Sequence, residues 1–176
     1  FIEDAAKRMR ILIDDLLSFS HLNTSERKFE ITDLNNIITD IKADFKEIID
    51  EKHAIIEADE LCEVNIIAYQ FRQLMQNLIG NALKFSKPNI PPHIIIKSNI
   101  LKGNKVKNEH LSLEKNYCHI TIADNGIGFE EEFNKKVFEV FQKLHGKEEY
   151  PGTGIGLAIV KKILENHDGV ITVKSK

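Results

Sequence analysis

Little in this chain marks a secreted, membrane-embedded or nucleic-acid-binding protein. It has only two cysteines, Cys62 and Cys118, which lack metal-site spacing and suit buried thiols in a reducing compartment. No run approaches the roughly 18 apolar residues of a membrane span, and no signal peptide is visible. Basic residues are not in excess: 24 Lys and Arg against 27 Asp and Glu give a net charge of −3. The basic face that nucleic acid demands is therefore not expected. Internal repeats and the regular βαβ alternation of a parallel sheet are also missing. What remains is 176 residues, 42% hydrophobic and 29% charged, enough for one good core. The chain opens on Phe1, already in helical pattern, which suggests a piece of a longer protein.

Residues 2–22 place Ile2, Ala5, Met9, Leu12, Leu16 and Phe19 at spacings of three and four, a helical seam. Ala6, Ile13, Leu17 and Ser20 widen it to the face of a helical bundle, which needs a partner helix to cover it. The polar NTSERK (23–28) ends this element, so the expected organisation is a helix over 1–23, a linker over 24–28 and a second domain over 29–176. Within that domain FEIT (29–32) reads as a strand, and Thr32 or Asp33 can cap a helix. That helix carries Leu34, Ile37, Ile38, Ile41, Phe45, Ile48 and Ile49. AIIEA (54–58) and EVNI (63–66) read as short strands, and HIIIKSNI (93–100) and YCHITIAD (117–124) as strands joined by a polar hairpin loop. Helices are expected at 130–141 and 155–167, and a last strand at GVITVKS (169–175). The best fit is an α+β fold with helices covering one face of a sheet.

Three stretches carry chemistry. In NLIGNALKFS (77–86), apolar residues at helical spacing leave Asn77, Asn81 and Lys84 within an arc of roughly 60°. Asparagine is a mediocre helix former, and Gly80 costs the helix about 1 kcal/mol relative to alanine. Asp124-Asn125-Gly126-Ile127-Gly128 ends a strand, and Gly152-Thr153-Gly154-Ile155-Gly156-Leu157 begins a helix. Glycines at a helix start expose free N–H groups to an anion, so the second cluster is a phosphate-site candidate. The dinucleotide fingerprint fails because Leu157 stands where it needs glycine, and no P-loop GK[ST] run exists. Asp124 can accept a hydrogen bond from an amine such as that of adenine, or simply hold an Asx-type turn into Gly126.

In order, NLIGNALKF, DNGIGF, VFEVF and GTGIGLAIV resemble the N box, first glycine box, F box and second glycine box of the sensor histidine kinase ATP-binding domain. That domain belongs to the superfamily shared with gyrase, mismatch-repair ATPases and ATP-dependent chaperones. FQKLHG (141–146) is most similar to the histidine kinases, phytochrome-type sensors included. The resemblance covers nearly all of 29–176. It implies a two-layer α/β sandwich of the Bergerat ATP-binding type, with a mixed sheet, preceded by one helix of a dimerization hairpin.

The resemblance also assigns roles. Asn81 would be the Mg2+ ligand, and Asn77 and Lys84 the catalytic polar pair beside the phosphates. Phe85 would lie near the nucleotide, and Asp124 would take the adenine amine beside Gly126 and Gly128. Gly152, Gly154 and Gly156 would form the hinge of an ATP lid, against which Phe138 and Phe141 pack, and Thr153 and Leu157 would bind the nucleotide with them. Lys143 would reach the phosphates, whereas His145 and Lys147 read better as solvated loop charges. Asn77 stands where hydrolytic relatives carry glutamate, and an amide cannot take a proton from water. Transfer to a protein nucleophile is therefore favoured over hydrolysis.

The implied cofactors are ATP and Mg2+. The implied partners are a second copy through the dimerization helices and a response regulator receiver domain, in the bacterial cytoplasm, with no nucleic acid or membrane contact. A serine kinase of anti-sigma type and a non-catalytic nucleotide-sensing domain are the rival readings. No acceptor box like SHELRTP occurs. His21 is followed by Leu22-Asn23-Thr24, not by an acidic residue and Leu-Arg-x-Pro. The true acceptor is expected upstream of Phe1, and one further strand is expected beyond 169–175. The chain should thus bind Mg·ATP without phosphorylating itself; acid-labile label recovered on His21 after incubation with labelled ATP would contradict this.

Overall fold

A computed structural model describes residues 2–24, 28–106, 111–134, 136–142 and 152–175. The elements are α1 (Ile2–Thr24), β1 (Glu30–Asp33), α2 (Leu34–Asp44), α3 (Lys46–Lys52), β2 (Ile55–Ala58), β3 (Glu63–Ile66), α4 (Ala68–Lys84), β4 (His93–Lys102), β5 (Asn116–Asp124) and α5 (Gly156–Asn166). They form two compact units, one within Lys28–Ile127, the other from the described residues of Phe1–Arg27 and Gly128–Lys176. Among the described residues no helix is long and apolar enough to cross a membrane.

The first unit is mixed α/β. β2 runs parallel to β4, and β4 runs antiparallel to β5 over nine residue pairs from Ile94↔Asp124 to Lys102↔Asn116. This is the mixed sheet that the sequence led us to expect. β1 and β3 instead pair antiparallel as a separate two-stranded sheet. Alternation in β4 buries Ile94 and Ile96 completely and leaves Lys97 outside. The helices complete the core: Leu34, Ile37, Ile38 and Ile41 from α2, and Phe71, Leu74, Met75, Ile79, Ala82 and Leu83 from α4. Of the two possible caps for α2, Asp33 is used, its Oδ1 accepting the Asn35 N–H at 2.8 Å.

The single helix expected from Leu34 to Ile49 breaks at Phe45 into α2 and α3. Tertiary contacts explain it. The Asp44 carboxylate accepts from Arg72 Nη2 at 2.7 Å and Gln76 Nε2 at 2.8 Å on α4. The Phe45 ring then lies over Gly80, where a Cβ would sit 3.2 Å from the ring tip. The glycine that weakens α4 as a helix makes room for this ring. Lys52 at the end of α3 reaches back to cap α4, donating to the Leu83 carbonyl at 2.7 Å and to Ser86 Oγ at 3.0 Å.

Both cysteines are half-buried free thiols of this unit. Ser98 Oγ donates to Cys62 Sγ at 3.2 Å and accepts the Cys62 N–H at 2.8 Å. Burial, reinforced by the hydrogen bond and charge of Cys62, pushes the Cys118 thiol up to about 12.

In the second unit α5 buries Ala158, Ile159, Val160, Ile163 and Asn166. Asn166 Nδ2 donates to the Leu22 carbonyl of α1 at 3.0 Å, a buried bond that fixes the end of one helix against the other. The wide apolar face of α1 is open. Met9 is 60% exposed, Ile13 57% and Leu17 52%.

Two further expectations are corrected here. The described residues of 130–141 form no α-helix; they make 3-10 turns at Glu131–Phe133 and Lys136–Phe138. Helix nucleation is costly, and a short stretch rich in Phe and Val gains too little from propagation to offset it. Residues 169–175 are not a strand, since no ladder partner is paired to them among the described residues. They are held at both ends: the Gly169 N–H donates to the Leu164 carbonyl at 2.8 Å, and Ser175 Oγ accepts the Phe129 N–H at 2.7 Å.

The Phe45 contact makes a stability prediction. Gly80→Leu should lower the unfolding free energy by about 1–3 kcal/mol in chemical denaturation, because the ring must move. Gly80→Ala should be near neutral, its helix gain of about 1 kcal/mol offset by that close contact. Equal stability of the leucine variant and the parent chain would refute the packing role.

Candidate nucleotide-binding site

The polar face of α4 exists as the spacing implied, and Asn77, Asn81, Lys84 and Phe85 are all half-buried. Asn77 spends a donor on its own helix, Nδ2 reaching the Gln73 carbonyl at 2.9 Å. Its amide oxygen is left for other partners. The Asn81 side chain makes no hydrogen bond to any described residue, although it is half-buried. Lys84 Nζ lies 4.5 Å from the centroid of the Phe85 ring, a cation–π contact at the helix end.

Phe85 connects this face to the first glycine cluster. Its N–H closes α4 on the Asn81 carbonyl at 2.9 Å, and its own carbonyl accepts the Ile127 N–H, also at 2.9 Å. Asp124 Oδ1 accepts the Gly126 N–H at 2.8 Å, so the Asx-type turn is real. That turn uses one oxygen of an exposed carboxylate and does not use the other. Gly126 has to be glycine here: a Cβ would sit 2.7 Å from both the Phe85 carbonyl oxygen and Asp124 Oδ1. Asn81, Lys84, Phe85, Asp124 and Gly126 are thereby held in one neighbourhood of the first unit.

Asn125 was not singled out from the sequence. Its Oδ1 accepts the His93 N–H at 2.9 Å and its Nδ2 donates to the Pro91 carbonyl at 3.0 Å. It brackets the glycine turn to the start of β4. The only sequence signal was an asparagine between a strand and a glycine, which ordinary turn chemistry already explains.

The second glycine cluster and the VFEVF residues lie in the other unit, as does Gly128, whose φ is 66°. Gly154 has φ 77°, and a Cβ there would meet the Gln142 carbonyl oxygen at 2.8 Å and the Phe141 carbonyl carbon at 2.8 Å. The backbone after VFEVF therefore abuts the glycine loop. Phe138 is half-buried, and Phe141 is 61% exposed with φ 65°. Gly156 is the first residue of α5, Leu157 follows half-buried, and Gly152 is exposed. Thr153 Oγ1 accepts the Ile155 N–H at 3.3 Å and donates to Asp15 Oδ2 on α1 at 2.5 Å. Lys143, His145 and Lys147 lie outside the described residues.

The donor set fits magnesium held chiefly by a substrate. Among the described residues no group of three or more His, Cys, Asp or Glu gathers to hold a metal. The amide oxygen of Asn81, a hard donor, suits an ion that keeps several waters and binds substrate phosphates.

A family model described as histidine kinase-, DNA gyrase B-, and HSP90-like ATPase matches residues 67–176. Among curated proteins, cyanobacterial phytochrome A of Nostoc sp. is 36% identical over 177 residues, covering 100% of this chain and 21% of that protein. Phytochrome-like protein Cph1 of Synechocystis sp. is 35% identical, covering 95% of this chain and 20% of that protein. This chain thus spans about a fifth of the length of these relatives. Among solved structures, full-length ShkA in complex with AMPPNP superposes with a TM-score of 0.72 at 21% identity, over 94% of this chain and 32% of that one. Histidine kinase ThkA in complex with response regulator protein TrrA gives 0.64 at 22% identity, over 96% and 43%. At these identities the two structures show a shared fold.

The turn geometry gives a direct test. Gly126→Ala should cost about 1–3 kcal/mol of stability, because the displaced atoms are backbone and a held carboxylate. A thermal or chemical unfolding curve matching that of the parent chain would contradict the close approach.

Proposed function

The chain belongs to the family of histidine kinase-, DNA gyrase B-, and HSP90-like ATPases, and on that premise we propose that it is the ATP-binding catalytic part of a two-component sensor histidine kinase. It transfers the γ-phosphoryl group of ATP to a histidine on a dimerization helix, for relay to an aspartate of a response regulator. Residues 29–176 act as the nucleotide domain, 24–28 as a linker and 1–23 as the second helix of the dimerization hairpin. The open apolar face of α1 supports pairing with further helices, in a homodimer of the parent protein. The ThkA–TrrA complex in a protein of the same fold supports a receiver-domain partner, and we assign the work to the cytoplasm.

The observation that carries this reading is the Phe85 carbonyl bonded to the Ile127 N–H. It couples the Asn- and Lys-bearing face to the Asp124 turn, as a site for a phosphate chain at one end and a base at the other would require. Asp124 accepts the adenine amine through the oxygen that the Gly126 turn does not use. Phe85 flanks the nucleotide, and Gly126 and Gly128 let it approach the backbone. Asn81 presents its amide oxygen for Mg2+, and the ion when bound neutralises phosphate charge. Asn77 and Lys84 orient the phosphates and offset their negative charge. In the second unit Gly152, Thr153, Gly154, Gly156 and Leu157 would offer the amides of the α5 start to a phosphate group, in the hinge of a lid that Phe138 and Phe141 pack, and the family resemblance alone assigns Lys143 to the phosphates. Because Asn77 cannot act as a general base toward water, the phosphoryl group is kept for a protein acceptor.

Two substitutions test the assignment. Asn81→Ala removes the metal-facing oxygen. Asp124→Asn keeps an oxygen for the Gly126 N–H and turns an amide donor toward the adenine amine. Each should abolish calorimetric binding of Mg·ATP with stability unchanged within about 0.5 kcal/mol. Parental affinity in both variants would defeat the site.

A further inference from the structure

Asp15 lies on α1, far in sequence from every residue assigned to the nucleotide. Yet its Oδ2 accepts a hydrogen bond from Thr153 Oγ1 at 2.5 Å, across 138 residues of sequence. The same hydroxyl oxygen accepts the N–H of Ile155, the residue that precedes α5. A threonine hydroxyl has one proton to give, and here it goes to the carboxylate. The Ile155 N–H belongs to the set of donors that a helix start leaves open for an anion. Asp15 therefore ends a relay, carboxylate to hydroxyl to N–H, at the mouth of the glycine cluster. It also places a negative charge beside the positive end of α5.

α1 is tied to α5 a second time, where the Leu22 carbonyl accepts from buried Asn166. Asp15 meets the approach to α5 and Leu22 meets its last turn, so the two helices run in the same direction. The deep anchor is a buried bond between a carbonyl and a core amide. The shallow one joins a half-exposed carboxylate to the glycine loop, and it is the one that movement of α1 would break first.

We propose that Asp15 is a positioning residue that lowers the chain's affinity for the nucleotide triphosphate by holding Thr153 and its loop in internal hydrogen bonds. This rests on the reading of the second glycine cluster as a phosphate site and adds how that site is regulated. While the relay stands, the Thr153 proton and the Ile155 N–H are spent, and the Asp15 charge repels phosphate. When α1 turns or slides, the relay opens and both groups become available to the triphosphate. The position of α1 is thereby read out as nucleotide affinity.

The test compares Mg·ATP and adenosine binding by calorimetry in the parent chain, Asp15→Ala and Asp15→Asn. Asp15→Ala should tighten Mg·ATP about fivefold, the equivalent of one typical net hydrogen bond. Asp15→Asn, which keeps an acceptor and removes the charge, should tighten it by less. Adenosine, which has no phosphates, should bind all three alike, a split that a merely structural role for Asp15 would not produce. Unchanged or weaker Mg·ATP binding by both Asp15 variants overturns the inference and leaves the nucleotide site standing. Failure of the parent chain to bind Mg·ATP overturns both.

Discussion

One backbone hydrogen bond organises the first unit around its site. The Phe85 carbonyl, released at the end of α4, accepts the N–H of Ile127 just past the strand that carries Asp124. Everything that matters on α4 is within eight residues of that carbonyl, and everything that matters in the first glycine cluster is within three residues of that N–H. The bond forms only if the two backbones come close, and a Cβ on Gly126 would block the approach. The glycine is thus required by packing before any ligand is considered. Lys52 and Asn125 secure the two sides, one capping α4 from α3 and the other bracketing the turn to β4. Their charge-assisted and paired amide bonds hold a neighbourhood that would otherwise be a frayed helix end facing a flexible loop.

Much of this was legible in the sequence because it is periodic or depends on glycine. α4 shows its buried face through apolar residues three and four apart, and the polar residues left over are the candidate site. Both glycine clusters are recognisable as places where the backbone does something that side chains forbid, and the structure gives each a cause. Gly126 avoids a carbonyl and a carboxylate, and Gly154 sits at positive φ against the backbone of residues 141 and 142. The β-branched runs of β4 and β5, with a polar loop between them, pointed to their antiparallel pairing.

Where the sequence misled, the cause lies far away along the chain. Nothing near Phe45 announces a break; its ring turns toward Gly80, and Asp44 is claimed by α4, so the helix divides there. Gly80 by itself looked only like a cost to its helix. The apolar residues of 130–141 have helical spacing, yet the described ones lie in and around short 3-10 turns, since spacing reports which side chains are buried and not how the backbone delivers them. A strand at 169–175 was read from β-branched composition, but composition cannot supply a partner. Asn125 and Asp15 were passed over because each acts on residues 32 or more positions away, and locally both look like ordinary polar residues.

The central claim is that α4 and the Asp124 turn form one wall of an ATP site, with Asn81 toward the metal and Asp124 toward the base. A crystal structure of the chain soaked with magnesium and a non-hydrolysable ATP analogue tests it most directly. The account predicts the adenine amine within hydrogen-bond distance of Asp124 and a metal ion held in part by Asn81 Oδ1. An analogue bound with its base away from Asp124, or a metal held without Asn81, would contradict it.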